Sequence, residues 1–323
     1  MTPRRLLATF LVALAAATLS AQTTRYTLSD GSTVDLPDLT ITGSTLDCAV
    51  SYDATRGVFR YAYTLTAPAS NLVGIEAFKI DLSGVTARPQ IDPALAENIV
   101  RAPAIQPATT IPVGITVPDP ARWRAGLSRG GMFFATARKS FTDVSPGAST
   151  GGFIIESQLP PGTRKAVISP SRQPWLDIMN ATPESGAEFL EPHPDDQKFA
   201  ITTTTIGPAE LSDANLYSGG GQQPAEVNKF LRYAAPLDNR NKVPANSTYT
   251  VIVYYGSTIN PATFAATLDG VDVTARFHPV PGGADAVKIA IGTSTTKLHL
   301  SVDGTKTSGG KGTDSDTLTF LPQ

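Results

Sequence analysis

The chain is poor in the residues that most often carry chemistry. It has one cysteine, three histidines and two tryptophans, and Lys, Arg, Asp and Glu together make up only 17% of its 323 residues. The single cysteine, Cys48, excludes an internal disulfide, so any domain must be held by buried apolar surface. Cys48 alternates with Leu46 and Val50 as in a strand, which reads as a small buried hydrophobe. Neither His-Glu-x-x-His nor Gly-x-Ser-x-Gly occurs, which removes two common hydrolase signatures. With three histidines, an acid–base enzyme would have to rely on carboxylates, and carboxylate pairs cannot be located by spacing in one sequence. Runs of Lys and Arg are also missing, and the formal net charge is −2. A nucleic-acid surface needs a basic stripe to neutralise phosphates, so DNA and RNA are excluded as partners, and an anionic membrane surface with them. After residue 21 no apolar run approaches the ~20 residues of a membrane-spanning helix.

What is present points to strands and turns. There are 40 Thr, 27 Gly and 26 Pro, with 41% hydrophobic residues. β-branched residues favour strands, while Gly and Pro punctuate them. Coiled coils, helical bundles and doubly wound α/β folds do not have this composition. Disorder is excluded by an apolar content sufficient for a core.

Residues 1–21 have the three parts of a secretory signal: Arg4 and Arg5, the apolar run Leu6 to Leu19, and Ala21 before Gln22. At 14 residues the apolar run is shorter than a spanning helix. Cleavage after Ala21 would remove two bases and no acid, leaving 24 bases against 28 acids. The expected product is exported, periplasmic or extracellular, and free of the membrane.

Residues 22–45 read as a hairpin or extension, turning at Asp30-Gly31. A first domain is expected over 46–207. In Val58 to Leu65, Phe59, Tyr61, Tyr63 and Leu65 fall on one face, the period-2 pattern of a half-buried antiparallel strand. Phe78, Ile80 and Leu82 repeat it, and Gly131–Ala137, Gly152–Ile155, Lys165–Ser169 and Phe199–Ile206 read as further strands. Asp92-Pro93 predicts a short helix through Val100. The Pro-rich stretch 102–120 can hold only edge strands. Residues 208–246, with Gly219-Gly220-Gly221, read as a linker carrying one strand at Phe230–Tyr233. From 247 to 323, Tyr249–Tyr255, a hairpin turning at Asp269-Gly270, and the alternations Val287/Ile289/Ile291, Leu298/Leu300/Val302 and Leu318/Phe320 predict a small β-sandwich. The fold class is therefore all-β: two β-sandwich domains after a cleaved signal peptide, the C-terminal one Ig-like in architecture.

Ile259-Asn260-Pro261-Ala262-Thr263-Phe264, Leu268-Asp269-Gly270, Phe277-His278-Pro279 and Asp314 to Phe320 resemble Ig-like modules appended to exported bacterial proteins. Trp123 after a Pro-rich strand, Ser145-Pro146-Gly147, Gly152-Phe153 and Ser157 to Gly162 resemble another exported bacterial β-sandwich pattern. The resemblance implies export and a sandwich fold, with no defined activity.

Three constellations merit separate reading. His193-Pro194-Asp195-Asp196 resembles the metal-binding segment of zinc-dependent de-N-acetylases. Gln197 stands where that family has Glu, and the surrounding pattern is not α/β, so a surface turn fits better. Asp303, Asp314 and Asp316 offer hard oxygen ligands suited to Ca²⁺, without a full EF-hand pattern. No other cofactor is expected. Trp123, Trp175 and Tyr254-Tyr255 are candidate stacking platforms for a sugar ring. The leading reading is an exported, non-enzymatic protein with a structural, adhesive or protein-interaction role, its partner an extracellular protein or glycan. The alternative is a carbohydrate-binding or carbohydrate-processing accessory protein.

Overall fold

Turn chemistry sets the first element. In the computed structural model, which describes residues 22–83, 99–101, 114–128, 131–136, 143–181, 188–191, 193–209, 230–234, 242–306 and 308–323, β1 (Thr23–Thr27) pairs antiparallel with β2 (Thr33–Pro37). Gly31 has φ 84°, and the Asp30 carboxylate accepts the Ser32 N–H at 2.9 Å. The expected hairpin is there, closed by a residue that tolerates positive φ.

Among the described residues, ten strands build the first sandwich: β3 (Thr45–Asp53), β4 (Val58–Thr66), β5 (Ile75–Asp81), β6 (Ile99–Arg101), β7 (Gly114–Thr116), β8 (Trp123–Ser128), β9 (Gly131–Thr136), β10 (Ser149–Ser157), β11 (Pro161–Pro170) and β12 (Ile201–Pro208). One sheet runs β3-β4-β10-β7, the other β12-β11-β5-β9-β8-β6. Their facing sides carry the predicted alternation. Phe59, Tyr61, Tyr63 and Leu65 of β4 are buried, as are Phe78 and Ile80 of β5 and Phe153 and Ile155 of β10. Aromatic rings fill the space between the sheets: Phe78 stacks on Phe134 at 4.9 Å, and Phe153 meets Phe78 edge-on at 5.0 Å. The Pro-rich stretch supplies an edge strand, β7, as Pro content requires.

The structure departs from the sequence reading at Ile99–Val100 and at Phe199, and adds a helix. The helix read over Ala94–Val100 lies mostly outside the described residues, and its last two, Ile99 and Val100, belong to a strand. Phe199 ends a 3-10 turn instead of opening β12. A helix that the periodicity did not indicate, α1 (Gln173–Ala181), follows β11. It is short and anchored from afar: Trp175 Nε1 donates to the Pro37 carbonyl at 2.7 Å.

Among the described residues, eight strands build the second sandwich: β13 (Leu231–Ala234), β14 (Lys242–Val243), β15 (Ser247–Tyr255), β16 (Ala265–Leu268), β17 (Val271–Asp272), β18 (Ala284–Ile291), β19 (Thr296–Thr305) and β20 (Lys311–Pro322). The sheet β13-β15-β18 faces the sheet β14-β20-β19-β16-β17. Asp269 and Gly270 turn the β16–β17 hairpin with φ of 50° and 83°, the positive pair that a tight two-residue turn needs. Phe264, Leu298, Leu300 and Phe320 are buried between the sheets with Val251, Val253 and Tyr255. Strands β13 and β14 fall within the stretch read as a linker, and Phe230, Leu231 and Val243 join this second core. Gly219–Gly221 lie outside the described residues.

Two neighbouring strands, β15 and β18, contribute residues to both cores. Along β15 the five residues Val251–Tyr255 are all buried. Val251, Val253 and Tyr255 face the second core, whereas Ile252 and Tyr254, with Ala284, pack into the first. They cover the edge of the first core where Cys48, Val50 and Tyr52 of β3 would otherwise meet water. The Tyr254 hydroxyl donates to the Pro161 carbonyl, and Lys288 forms an ion pair with Asp47. Among the described residues no helix is long and apolar enough to cross a membrane.

Candidate functional site

Both tryptophans are core residues. Trp123 is 4% exposed and meets the Phe153 ring edge-on at 4.7 Å. Trp175 is 6% exposed, packed against Phe199 at 6.2 Å with its indole N–H bound to Pro37. Tyr254 and Tyr255 are buried too. The expectation of exposed stacking platforms at Trp123 and Trp175 is therefore corrected: burying these rings is what closes the first core.

The His-Pro-Asp-Asp string forms an exposed turn. His193 lies 3.3 Å from Glu191, and Asp195 accepts the Gln197 N–H at 2.9 Å. Asp196 sits 3.4 Å from Arg172 Nε, which also pairs with Glu76 at 2.8 Å. Asp195 is committed to an N–H and Asp196 to an Arg. Among the described residues no three His, Cys, Asp or Glu side chains stand close enough to hold a metal ion. The acids considered for Ca²⁺ are divided by strand parity. Asp303 lies opposite Thr313, on the outer face of the β19–β20 ribbon. Asp314 lies opposite Val302 and Asp316 opposite Leu300, on the phase that faces the core. Asp314 Oδ2 instead accepts the backbone N–H groups of Phe230 and Leu231 at 2.8 and 2.9 Å, pinning the start of β13.

Asp303 belongs to a different arrangement, a groove of about 580 Å³ at one end of the second sandwich. Residues 258–260 run beside β19 as a short antiparallel bridge, Ile259 opposite Gly304. Asn260 N donates to Asp303 O at 2.7 Å and Thr305 N to Thr258 O at 3.0 Å. That register places Asn260 opposite Asp303 and Thr258 opposite Thr305. On the other side of β19, Asp303 pairs with Thr313 and Thr305 with Lys311. Six polar side chains thus form two rows of three on one face: Asn260, Asp303, Thr313 and Thr258, Thr305, Lys311. The row between them, Ile259, Gly304 and Gly312, points the other way. Ile259 is buried in the core, and a Cβ on Gly304 would stand 2.7 Å from the Phe230 ring that packs beneath it. Pro261 forms the rim beside Asn260 and opens a 3-10 turn that Asn260 caps through Ala262 N. Asp303 was singled out in the sequence as an acid. The five other side chains were not read as site residues, because only the strand register brings them together.

A second, smaller cavity of about 190 Å³ lies where the sandwiches meet, lined in part by Cys48, Thr205, Tyr249 and Lys288. Cys48 is half-buried. Burial pushes its thiol up, and raises the hydroxyls of Tyr61, Tyr63 and Tyr254 as well, so all four are neutral at physiological pH. A neutral thiol is a poor nucleophile and a poor metal ligand, and Cys48 here acts as packing.

No family model and no curated protein matches the chain. Among solved structures the chain is similar to BcpA, the major pilin subunit of Bacillus cereus, at 10% identity over 93% of this chain and 74% of that one, with a TM-score of 0.25. A likeness of that size carries no argument about function.

Proposed function

We propose that the protein is an exported, non-enzymatic β-sandwich protein with a structural or interaction role. The observation that supports this is the strand β15, buried on both faces and shared by two cores. Catalytic and ligand-gated sites at domain boundaries usually keep that boundary mobile and polar. Here Ile252, Tyr254 and Ala284 close it with apolar surface, and the Lys288–Asp47 pair sits beside them. Such a joint transmits orientation and force between modules and leaves the outer faces for contact with a partner. Two measurements test the reading. Small-angle scattering of the leaderless protein should fit one fixed arrangement of the two sandwiches. A panel of ester, glycoside, phosphoester and peptide substrates, with and without added Ca²⁺ or Zn²⁺, should show no turnover. Turnover abolished by a single carboxylate replacement, or scattering that requires the sandwiches to swing independently, overturns it.

A further inference from the structure

We infer that the groove on the second sandwich, built from Thr258, Asn260, Asp303, Thr305, Lys311 and Thr313, is a binding site for a neutral saccharide. The inference goes beyond the structural role and does not rest on it.

Neighbouring strands are ~4.8 Å apart and alternate residues ~7 Å apart, so the two rows of three cover roughly 10 by 7 Å. That is the footprint of one to two pyranose rings, and a groove of about 580 Å³ lies within the range of small-ligand sites. The polar groups are also of the right kinds. A sugar hydroxyl both donates and accepts, so its receptor must offer donors and acceptors within one ring's width. Asp303, at the centre of its row, spends one oxygen on the Thr313 hydroxyl at 2.6 Å. Its other oxygen has no partner among the described residues. Asn260 uses its carbonyl oxygen on Ala262 N, which leaves the amide NH₂ free to donate. The Lys311 ammonium, at the diagonally opposite corner, has no partner among the described residues either. Thr258 and Thr305 add hydroxyls that can play both roles.

The same array argues against the other ligand classes. One carboxylate beside an ammonium is a poor cage for a cation, which collects several oxygens. Asp303 at the centre repels a phosphate or an acidic sugar. An extended peptide docks by adding to an unpaired strand edge. Here the bridge and the hairpin already pair the backbone of residues 258–260 with 303–305 and of 303–305 with 311–313. A neutral polyhydroxylated ligand satisfies all of these conditions, and the Pro261 ring at the rim offers it an apolar edge.

The test uses the full leaderless chain on an immobilised array of neutral, acidic and amino-sugar glycans. Saturation-transfer NMR with cellobiose, maltotriose and chitobiose then measures binding in solution. At least one neutral di- to tetrasaccharide should be retained. Lys311→Ala and Asn260→Asp, the latter keeping the oxygen that caps Ala262, should each weaken binding about tenfold, the loss expected of one hydrogen bond from a charged or buried donor. Both variants should melt like the parent, since Lys311 and Asn260 are exposed. His299→Ala, on the same sheet face but outside the groove, should bind as the parent does. Retention of no neutral glycan overturns the inference. So does retention unaffected by both groove variants, or capture of acidic glycans or of members of a displayed peptide library in their place.

Discussion

Tyr254→Ala should destabilise the first sandwich although it lies in a strand of the second. Tyr254 is 8% exposed and packs into the first core, and its hydroxyl donates to the carbonyl of Pro161 at the start of β11. Truncating a buried aromatic to Ala costs about 3–5 kcal/mol, from lost transfer energy and the cavity left behind. The hydroxyl accounts for about 0.5–1.5 kcal/mol of this, the net worth of a hydrogen bond, and Tyr254→Phe isolates that part. The chain supplies its own probe. Both tryptophans, Trp123 and Trp175, are buried in the first core and the second sandwich has none. Tryptophan fluorescence during urea unfolding therefore reports the first sandwich alone. With an m-value of about 2 kcal/mol per molar urea, Tyr254→Ala should lower the fluorescence midpoint by roughly 1.5–2.5 M. Tyr254→Phe should lower it by roughly 0.5 M on the same scale. If the Tyr254→Ala midpoint stays within about 0.2 M of the parent, well inside the shift expected at that m-value, the shared-strand account of the joint is wrong.

In the second core, Phe320→Ala should cost about 3–5 kcal/mol, since the ring is fully buried against Tyr249 at 5.5 Å. His299→Ala, on the outer face with Thr317 and Ser315, should stay within about 0.5 kcal/mol; melts followed by circular dichroism separate the two. Asp314→Ala leaves two backbone N–H groups without their acceptor and should cost about 1–3 kcal/mol. Hydrogen exchange at Phe230 and Leu231 should accelerate before exchange in β19 changes, and unchanged protection there would refute the pinning role. Cys48 in the native chain at pH 8 should react with iodoacetamide far more slowly than in urea, because burial holds its pKa up and the thiolate is the reacting form. Equal rates in the two states would show that the thiol is not held against the joint.

The parts of the fold that were legible in the sequence are those set locally. Gly31 and the Asp269-Gly270 pair adopt positive φ because Gly meets no Cβ penalty there, and Asp269 tolerates the left-handed region. The alternation of Phe59, Tyr61, Tyr63 and Leu65 is read correctly because one face of β4 is buried and the other is not. What escaped depends on distant partners. Helix α1 has no acidic first turn and no basic last turn, and the Trp175 contact to Pro37 that holds it spans 138 residues of sequence. Strand β13 is legible at Phe230–Tyr233 and β14 is not, and only pairing with β15 and β20 shows that both belong to the sandwich rather than to a linker. The joint did leave a signal: the unbroken apolar run Val251–Tyr255 is the pattern of a strand covered on both faces, not the alternation of a half-exposed one.

The candidate site was less legible, and the reason is parity. A tryptophan in a strand can point either way, and composition says nothing of which face is covered; Trp123 shares the buried phase of β8 with Ala125, while Arg124 between them is exposed. The acids at 303, 314 and 316 look like one cluster along the chain. Yet the turn joining β19 to β20 pairs Asp303 with Thr313 and Val302 with Asp314, which sends the first acid outward and the other two inward. A slip of β20 by one residue against β19 would exchange the two faces of β20. It would bring Asp314 and Asp316 out beside Asp303, the cluster that Ca²⁺ would need, and drive the outer threonines of β20 into the core. The turn between Thr305 and Lys311 excludes that alternative: Lys306 N donates to the Gly310 carbonyl at 2.7 Å, and Gly309, at φ 85°, donates back to Lys306 O at 2.8 Å. Two burials then lock the chosen register. Leu318 and Phe320 reach the core only in this phase, and Gly304 lies over Phe230 only when Asp303 faces out. The polar groove is thus a consequence of how the second core closes, and its six side chains stand together because Phe230 and Phe320 must be buried behind them.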